Sequence, residues 1–135
     1  MCSSDLVAIA AIVFAVLATP LMAEAPALPA DAVQLKGKEI AAYLHGKRFS
    51  TTIYDGPELI KATVNWDFNA NRVFGDFSVN GTKRKFDNPA TVKGDTSCGE
   101  KSADGTWVCQ RVFVKGNMMY EVNKAGQIHA VSKLK

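Results

Sequence analysis

The feature that most constrains this chain is an alternation of apolar and polar residues with a period of two. Ile60, Ala62, Val64, Trp66 and Phe68 alternate with Lys61, Thr63, Asn65 and Asp67, the pattern of a strand with one buried and one wet face. A second run follows, with Val73, Gly75, Phe77 and Val79 on one side and Arg72, Asp76 and Ser78 on the other. Asn69-Ala70-Asn71 joins the two runs, and Asn80-Gly81 closes the second with a tight-hairpin signal. Further strands are predicted at Arg48 to Tyr54, Thr82 to Phe86, Ala90 to Lys93, Thr106 to Lys115, Met118 to Val122 and Gln127 to Ser132. Asp55-Gly56-Pro57, Asp87-Asn88-Pro89, Gly116-Asn117 and Asn123 to Gly126 separate them. The expectation is a mainly β fold: an antiparallel meander of about eight strands. A sheet of that size curls or closes to limit its open edges, giving a small barrel or a strongly curved sheet.

One segment ahead of the strands has a different period. Lys38 to His45 contains no helix breaker and ends at Gly46, with Ile40, Tyr43 and Leu44 on one helical face. This short N-terminal helix is too short to stand alone. It is expected to plug or cap the sheet at one end or across one face. Residues 24–35 are rich in Pro and Ala and read as a flexible lead-in, so the single β-rich domain spans 36–135.

Leu6 to Leu17 is almost wholly apolar and is followed by Pro20 and small residues. That is the texture of a signal-peptide core, because a membrane span needs roughly 20 apolar residues. Cleavage is expected after Ala23, with Ala25 as the alternative, so residues 1–23 form the leader. The opening Met-Cys-Ser-Ser-Asp-Leu carries no Lys or Arg, and the first basic residue is Lys36. Residues 1–6 therefore read as an assembly artefact standing where a basic start belongs. Cys2 precedes the apolar core and so is no lipid-attachment site; no stable membrane anchor is expected after cleavage. The implied localisation is bacterial and periplasmic or secreted. In that oxidising setting Cys98 and Cys109, the two remaining cysteines, are expected to form one disulfide worth about 3 kcal/mol.

Without Asp5 the mature part has sixteen Lys and Arg against twelve Asp and Glu, a small positive excess. Lys83-Arg84-Lys85 is its densest cluster, either a solvated hairpin arm or a contact for an anionic surface such as lipid headgroups or an envelope polymer. No basic stripe interleaved with aromatics points to nucleic acid. His45, next to Gly46, is placed to interact with the helix C-terminus, and His129 reads as a core or rim histidine. These two histidines have no acid at metal-motif spacing, so no metal or other cofactor is expected. Ser50, Ser78 and Ser132 lack a nucleophile motif. Asp67 and Asp76, which flank the Asn69 turn, read as solvated acids rather than a hydrolytic pair. The chain is therefore read as a non-enzyme.

Two sets of apolar residues are candidates for binding. Trp66, Phe77, Trp107 and Tyr120 are placed to line the inside of a curved sheet, where about eight strands leave room for side chains or one small ligand. Phe74 and Met119 fall out of phase with their apolar neighbours and are expected to be exposed, as a contact for a partner protein.

The pattern Leu35, Gly37, Glu39, Ile40 and Gly46, followed by Val92, Gly94, Asp95, Cys98, Cys109, Val112, Gly116 and Tyr120, resembles a broad group of small exported bacterial proteins. That group has a leading Leu-x-Gly-x-Glu-Ile helix and a C-terminal Cys pair. Thr91 stands where the group's pattern has a tryptophan. The resemblance implies export and this fold, and no activity. The architecture is also similar to that of periplasmic lysozyme inhibitors, which would imply an inhibitor of a cell-wall hydrolase; their Ser-Gly-Tyr loop and Lys-rich strand have no counterpart here. The leading expectation is a binding module for a protein or envelope component, and the alternative is a carrier of a small apolar ligand inside the barrel.

Overall fold

The computed structural model describes residues 25–135. The leader assigned to residues 1–23 lies outside the described residues. The elements are β1 (Val33–Gln34), α1 (Gly37–Leu44), β2 (Arg48–Ile53), β3 (Ile60–Asp67), β4 (Arg72–Val79) and β5 (Thr82–Pro89), then β6 (Thr91–Lys93), β7 (Thr96–Lys101), β8 (Trp107–Lys115), β9 (Met118–Val122) and β10 (Ile128–Leu134). Among these residues no helix is long and apolar enough to cross a membrane.

The strands form one antiparallel sheet in the order β5-β4-β3-β2-β10-β9-β8-β7-β6, with β1 paired to β8 off this path. The sheet curls into a half-barrel. Its two terminal strands, β5 and β6, are consecutive in the chain and meet at Ala90, which is buried and donates its N–H to the Asn71 carbonyl at 2.9 Å. All neighbours along the path are sequence neighbours except β2 and β10, whose register pairs Phe49 with Leu134 and Ile53 with Ala130. The Asn80-Gly81 turn has positive φ at both residues, 50° and 77°, as a two-residue hairpin whose twist matches its strands requires.

Two glycines allow the curvature. A Cβ on Gly75 would lie 1.8 Å from the Thr63 carbonyl oxygen, so β4 approaches β3 there only because Gly75 has no side chain. At the seam, a Cβ on Gly99 of β7 would sit 3.2 Å from Cη2 of Trp66, so the bare glycine lets the indole of β3 pack against β7.

Helix α1 packs into one end of the sheet. Ile40 and Leu44 are fully buried in one cluster with Phe49, Val64, Trp66, Val112 and Met119. The start of α1 is held by the Lys36 N–H donating to Glu39 Oε1 at 2.8 Å and by the Gly37 N–H donating to Asp95 Oδ1 at 3.0 Å. Gly46, at φ 73°, turns the chain out of the helix and donates its N–H to the Trp66 carbonyl. The His45 imidazole does not cap the helix; its Nδ1 accepts the Phe68 N–H at 3.1 Å, tying the helix end to the β3–β4 turn.

The mainly antiparallel, curled architecture with one short helix is as expected, but two strands lie outside the sequence reading. The stretch read as a flexible lead-in ends in β1, with Leu35 buried behind it. Strand β7, Thr-Ser-Cys-Gly-Glu-Lys, has no apolar alternation; pairing with β8 supplies what its own sequence lacks. Cys98 and Cys109 are direct cross-strand partners in that pairing and are disulfide-bonded. That bond is compatible with an oxidising compartment.

Candidate cavity in the open end of the half-barrel

The inward face of the sheet divides in two. At the α1 end it is filled. At the other end the inward residues enclose a cavity of about 260 Å³. Its buried part is formed by Thr51, Ala62, Val64, Trp66, Val73, Gln110, Glu121 and Ala130, and its partly exposed part by Ile53, Ile60, Phe77, Phe86, Asn88, Gly99, Val108 and His129, with Glu100 exposed at the edge. The lining is mainly apolar, and it contains no Lys or Arg.

Each polar group in this cavity is positioned by strand phase. Thr51 on β2 and Ser132 on β10 face each other across the register, and their hydroxyls hydrogen-bond at 2.7 Å in a buried setting. Gln110 on β8 and Glu121 on β9 share the inward phase of Val112 and Met119. The Gln110 Oε1 atom and the indole Nε1 of Trp66 are buried without a hydrogen-bond partner. Such groups cost about 1–3 kcal/mol each when left unpaired. Burial pushes the Glu121 carboxyl above the usual carboxylate range; His129 opposes the shift and Asp55 adds to it. His129 stands at the bulge between Ile128 and Ala130, and its Nδ1 lies 2.8 Å from Asp55 Oδ1.

Of the residues expected to line the inside, Trp66 and Phe77 do so and Trp107 and Tyr120 do not. Val108, Gln110 and Val112 hold the inward phase of β8, so Trp107 points the other way, with the Lys101 ammonium 4.6 Å from its ring centroid. Tyr120 lies between inward Met119 and Glu121 and pairs on the opposite face with Phe113 and Val131.

The proposed partner surface of Phe74 and Met119 is corrected. Met119 is 1% exposed and belongs to the core. Its neighbour in phase is the acid Glu121, which disguised that phase as the wet one. Phe74 lies on the other face of the sheet, half-buried beneath the Arg72 guanidinium at 4.0 Å, so the two cannot form one patch. Lys83, Arg84 and Lys85 are exposed on β5, a strand paired on one side only, and make no ion pair among the described residues. Charges there shield an unpaired edge.

Asp67 and Asp76 do not come together: Asp67 accepts the Asn69 and Ala70 N–H groups in its turn, while Asp76 pairs across to Thr63 and Lys85. Among the described residues no group of three His, Cys, Asp or Glu is arranged to hold a metal ion. Sequence reasoning missed Glu121, Gln110 and Phe86. No sequence signal marked Glu121: it shares a face with Met119, as residues i and i+2 do in a strand, and an acid in that phase reads as the wet side. Comparison with protein-family models, curated proteins and solved structures returned no match.

Proposed function

We propose that this chain is an exported, non-enzymatic carrier that holds one small, mainly apolar molecule in the open end of its half-barrel. The observation that carries the reading is the cavity itself: about 260 Å³ of space walled by Trp66, Val73, Phe77 and Phe86 in a domain of this size. Ligand pockets begin at roughly 300 Å³ for drug-sized molecules, so the occupant is a short-chain compound. Its buried polar groups, Glu121 and Gln110, provide a few oriented contacts in an apolar wall, the composition that small-molecule sites share. The Thr51 hydroxyl in the lining is already hydrogen-bonded to Ser132, which favours holding over nucleophilic chemistry. The disulfide and the apolar leader support export.

The test is calorimetric titration with neutral short-chain alcohols and ketones, run on the wild type and on Ala62→Leu, which fills the cavity from β3. Saturable binding to the wild type, weakened about tenfold or more in the filled variant, is expected, because a misplaced methyl group alone removes apolar contacts worth 1–3 kcal/mol. Equal binding to both would place the ligand elsewhere and overturn the reading.

A further inference from the structure

The lining of the cavity holds two carboxyl groups, those of Glu121 and Glu100, and a single titratable base, His129. The chain carries a formal charge of +3, yet its sixteen Lys and Arg contribute none to the lining, while Glu121 and Glu100 both do. Glu121 is 8% exposed and lines the cavity, and among the described residues nothing hydrogen-bonds its carboxyl. His129 makes no hydrogen bond to Glu121, and its Nδ1 is engaged by Asp55 at 2.8 Å. A buried carboxylate left in that state is costly, and an incoming cation that donates to it removes most of the cost. The walls point the same way. Trp66, Phe77 and Phe86, on β3, β4 and β5, present aromatic surface to the same cavity that Glu121 lines from β9, and Phe77 and Phe86 lie 6.2 Å apart between ring centroids. Aromatic faces attract organic cations through their quadrupoles.

We infer that the ligand of this cavity is a small protonated amine with an apolar body, its ammonium group donating to Glu121 and its body lying against Trp66, Phe77 and Phe86. This rests on the carrier reading above and narrows it to one chemical class. An anionic amphiphile of equal length meets two carboxyl groups and no Lys or Arg, and a neutral alcohol brings no charge to Glu121.

The test compares three probes of equal chain length, hexylamine, hexan-1-ol and hexanoate, by calorimetry at neutral pH. The expected order is amine tightest, alcohol at least about tenfold weaker and carboxylate weakest, because hydrogen bonds to charged groups contribute about 1.5–3 kcal/mol. Glu121→Gln, which keeps the shape, should bring the amine down to the alcohol and leave the alcohol unchanged. If the alcohol equals the amine, or hexanoate binds best, the amine assignment falls while the carrier reading stands. If none of the three binds, both fall. An unchanged amine preference in Glu121→Gln also overturns the assignment, and the wild-type order decides the matter if that variant does not fold.

Discussion

The two ends of the half-barrel are built from the same strands with the same alternation, yet one is closed and the other hollow. At the α1 end, Ile40 and Leu44 descend from the helix onto Phe49, Val112 and Met119, and the space is filled by large apolar side chains at or near zero exposure. At the other end no described element enters from outside, and small or polar residues, Thr51, Ala62, Gln110, Glu121 and Ala130, share the inward face with Trp66, Val73, Phe77 and Phe86. A sheet of this curvature leaves an interior that side chains just fill. The contrast teaches that the helix, eight residues long, determines which half is core and which is cavity. Close apolar packing is concentrated at one end and buried polar groups at the other.

That division can be broken or sharpened by four measurements. The largest effect belongs to the closed end: Leu44→Ala should cost about 4 kcal/mol in chemical denaturation, since it opens a cavity where the packing is complete. A loss below about 1 kcal/mol would mean that the helix is not a plug. Next comes the staple beside the seam. Replacing both Cys98 and Cys109 by Ala should lower stability by about 3 kcal/mol, given the eleven-residue separation they bridge. Backbone amide exchange in β7 should rise more than in β2 to β4, because β7 depends on its pairing with β8 rather than on its own apolar face.

The third measurement concerns Glu121. Its carboxyl is raised above the unfolded value by burial, so the folded state holds the proton more tightly than the unfolded chain. The corresponding stability is fully present below the unfolded carboxylate pKa and is lost as pH rises through the higher folded value. Glu121→Gln should therefore flatten the fall in stability toward neutral pH and gain about 1–3 kcal/mol there, the desolvation cost of an unmatched buried group. A wild-type profile that rises over that range would contradict the burial of Glu121. The smallest effect is at the open end. Ala62→Leu should change stability by less than about 1.5 kcal/mol because the cavity accepts the added carbons. Ala90→Leu, at the filled corner between β5 and β6, should lose about 2 kcal/mol to overpacking in the same assay.

Much of the closed end was legible in the sequence. Ile40, Tyr43 and Leu44 at helical spacing identified the plug, the run from Ile60 to Phe68 identified β3, and Asn80-Gly81 identified the turn that follows β4. The β8–β9 wall of the open end was not legible, for a physical reason. Phase is read from the assumption that apolar residues face inward, and the polar inward residues Gln110 and Glu121 invert that assumption on these two strands. Glu121 made Met119 look exposed, and Gln110 made Trp107 look internal. Strand β7 escaped notice because Ser97, Gly99 and Glu100 advertise a loop, while its role at the seam is to present a glycine to Trp66. Tertiary pairing, absent from any window of a few residues, decided its structure.

The β2–β10 pairing sets how this sheet is completed in time. Every other ladder on the path joins consecutive strands and can form as a local hairpin, whereas this one brings Arg48–Ile53 against Ile128–Leu134 at the far end of the chain. Local pairings form quickly and distant ones slowly, because loop-closure entropy is lost before contacts compensate for it. The domain thus assembles as two meanders hinged at Ala90, with β2 and β9 as open edges until the seven residues of β10 arrive. A chain interrupted before Ile128 is not a slightly shortened half-barrel but a pair of sheets with adhesive borders.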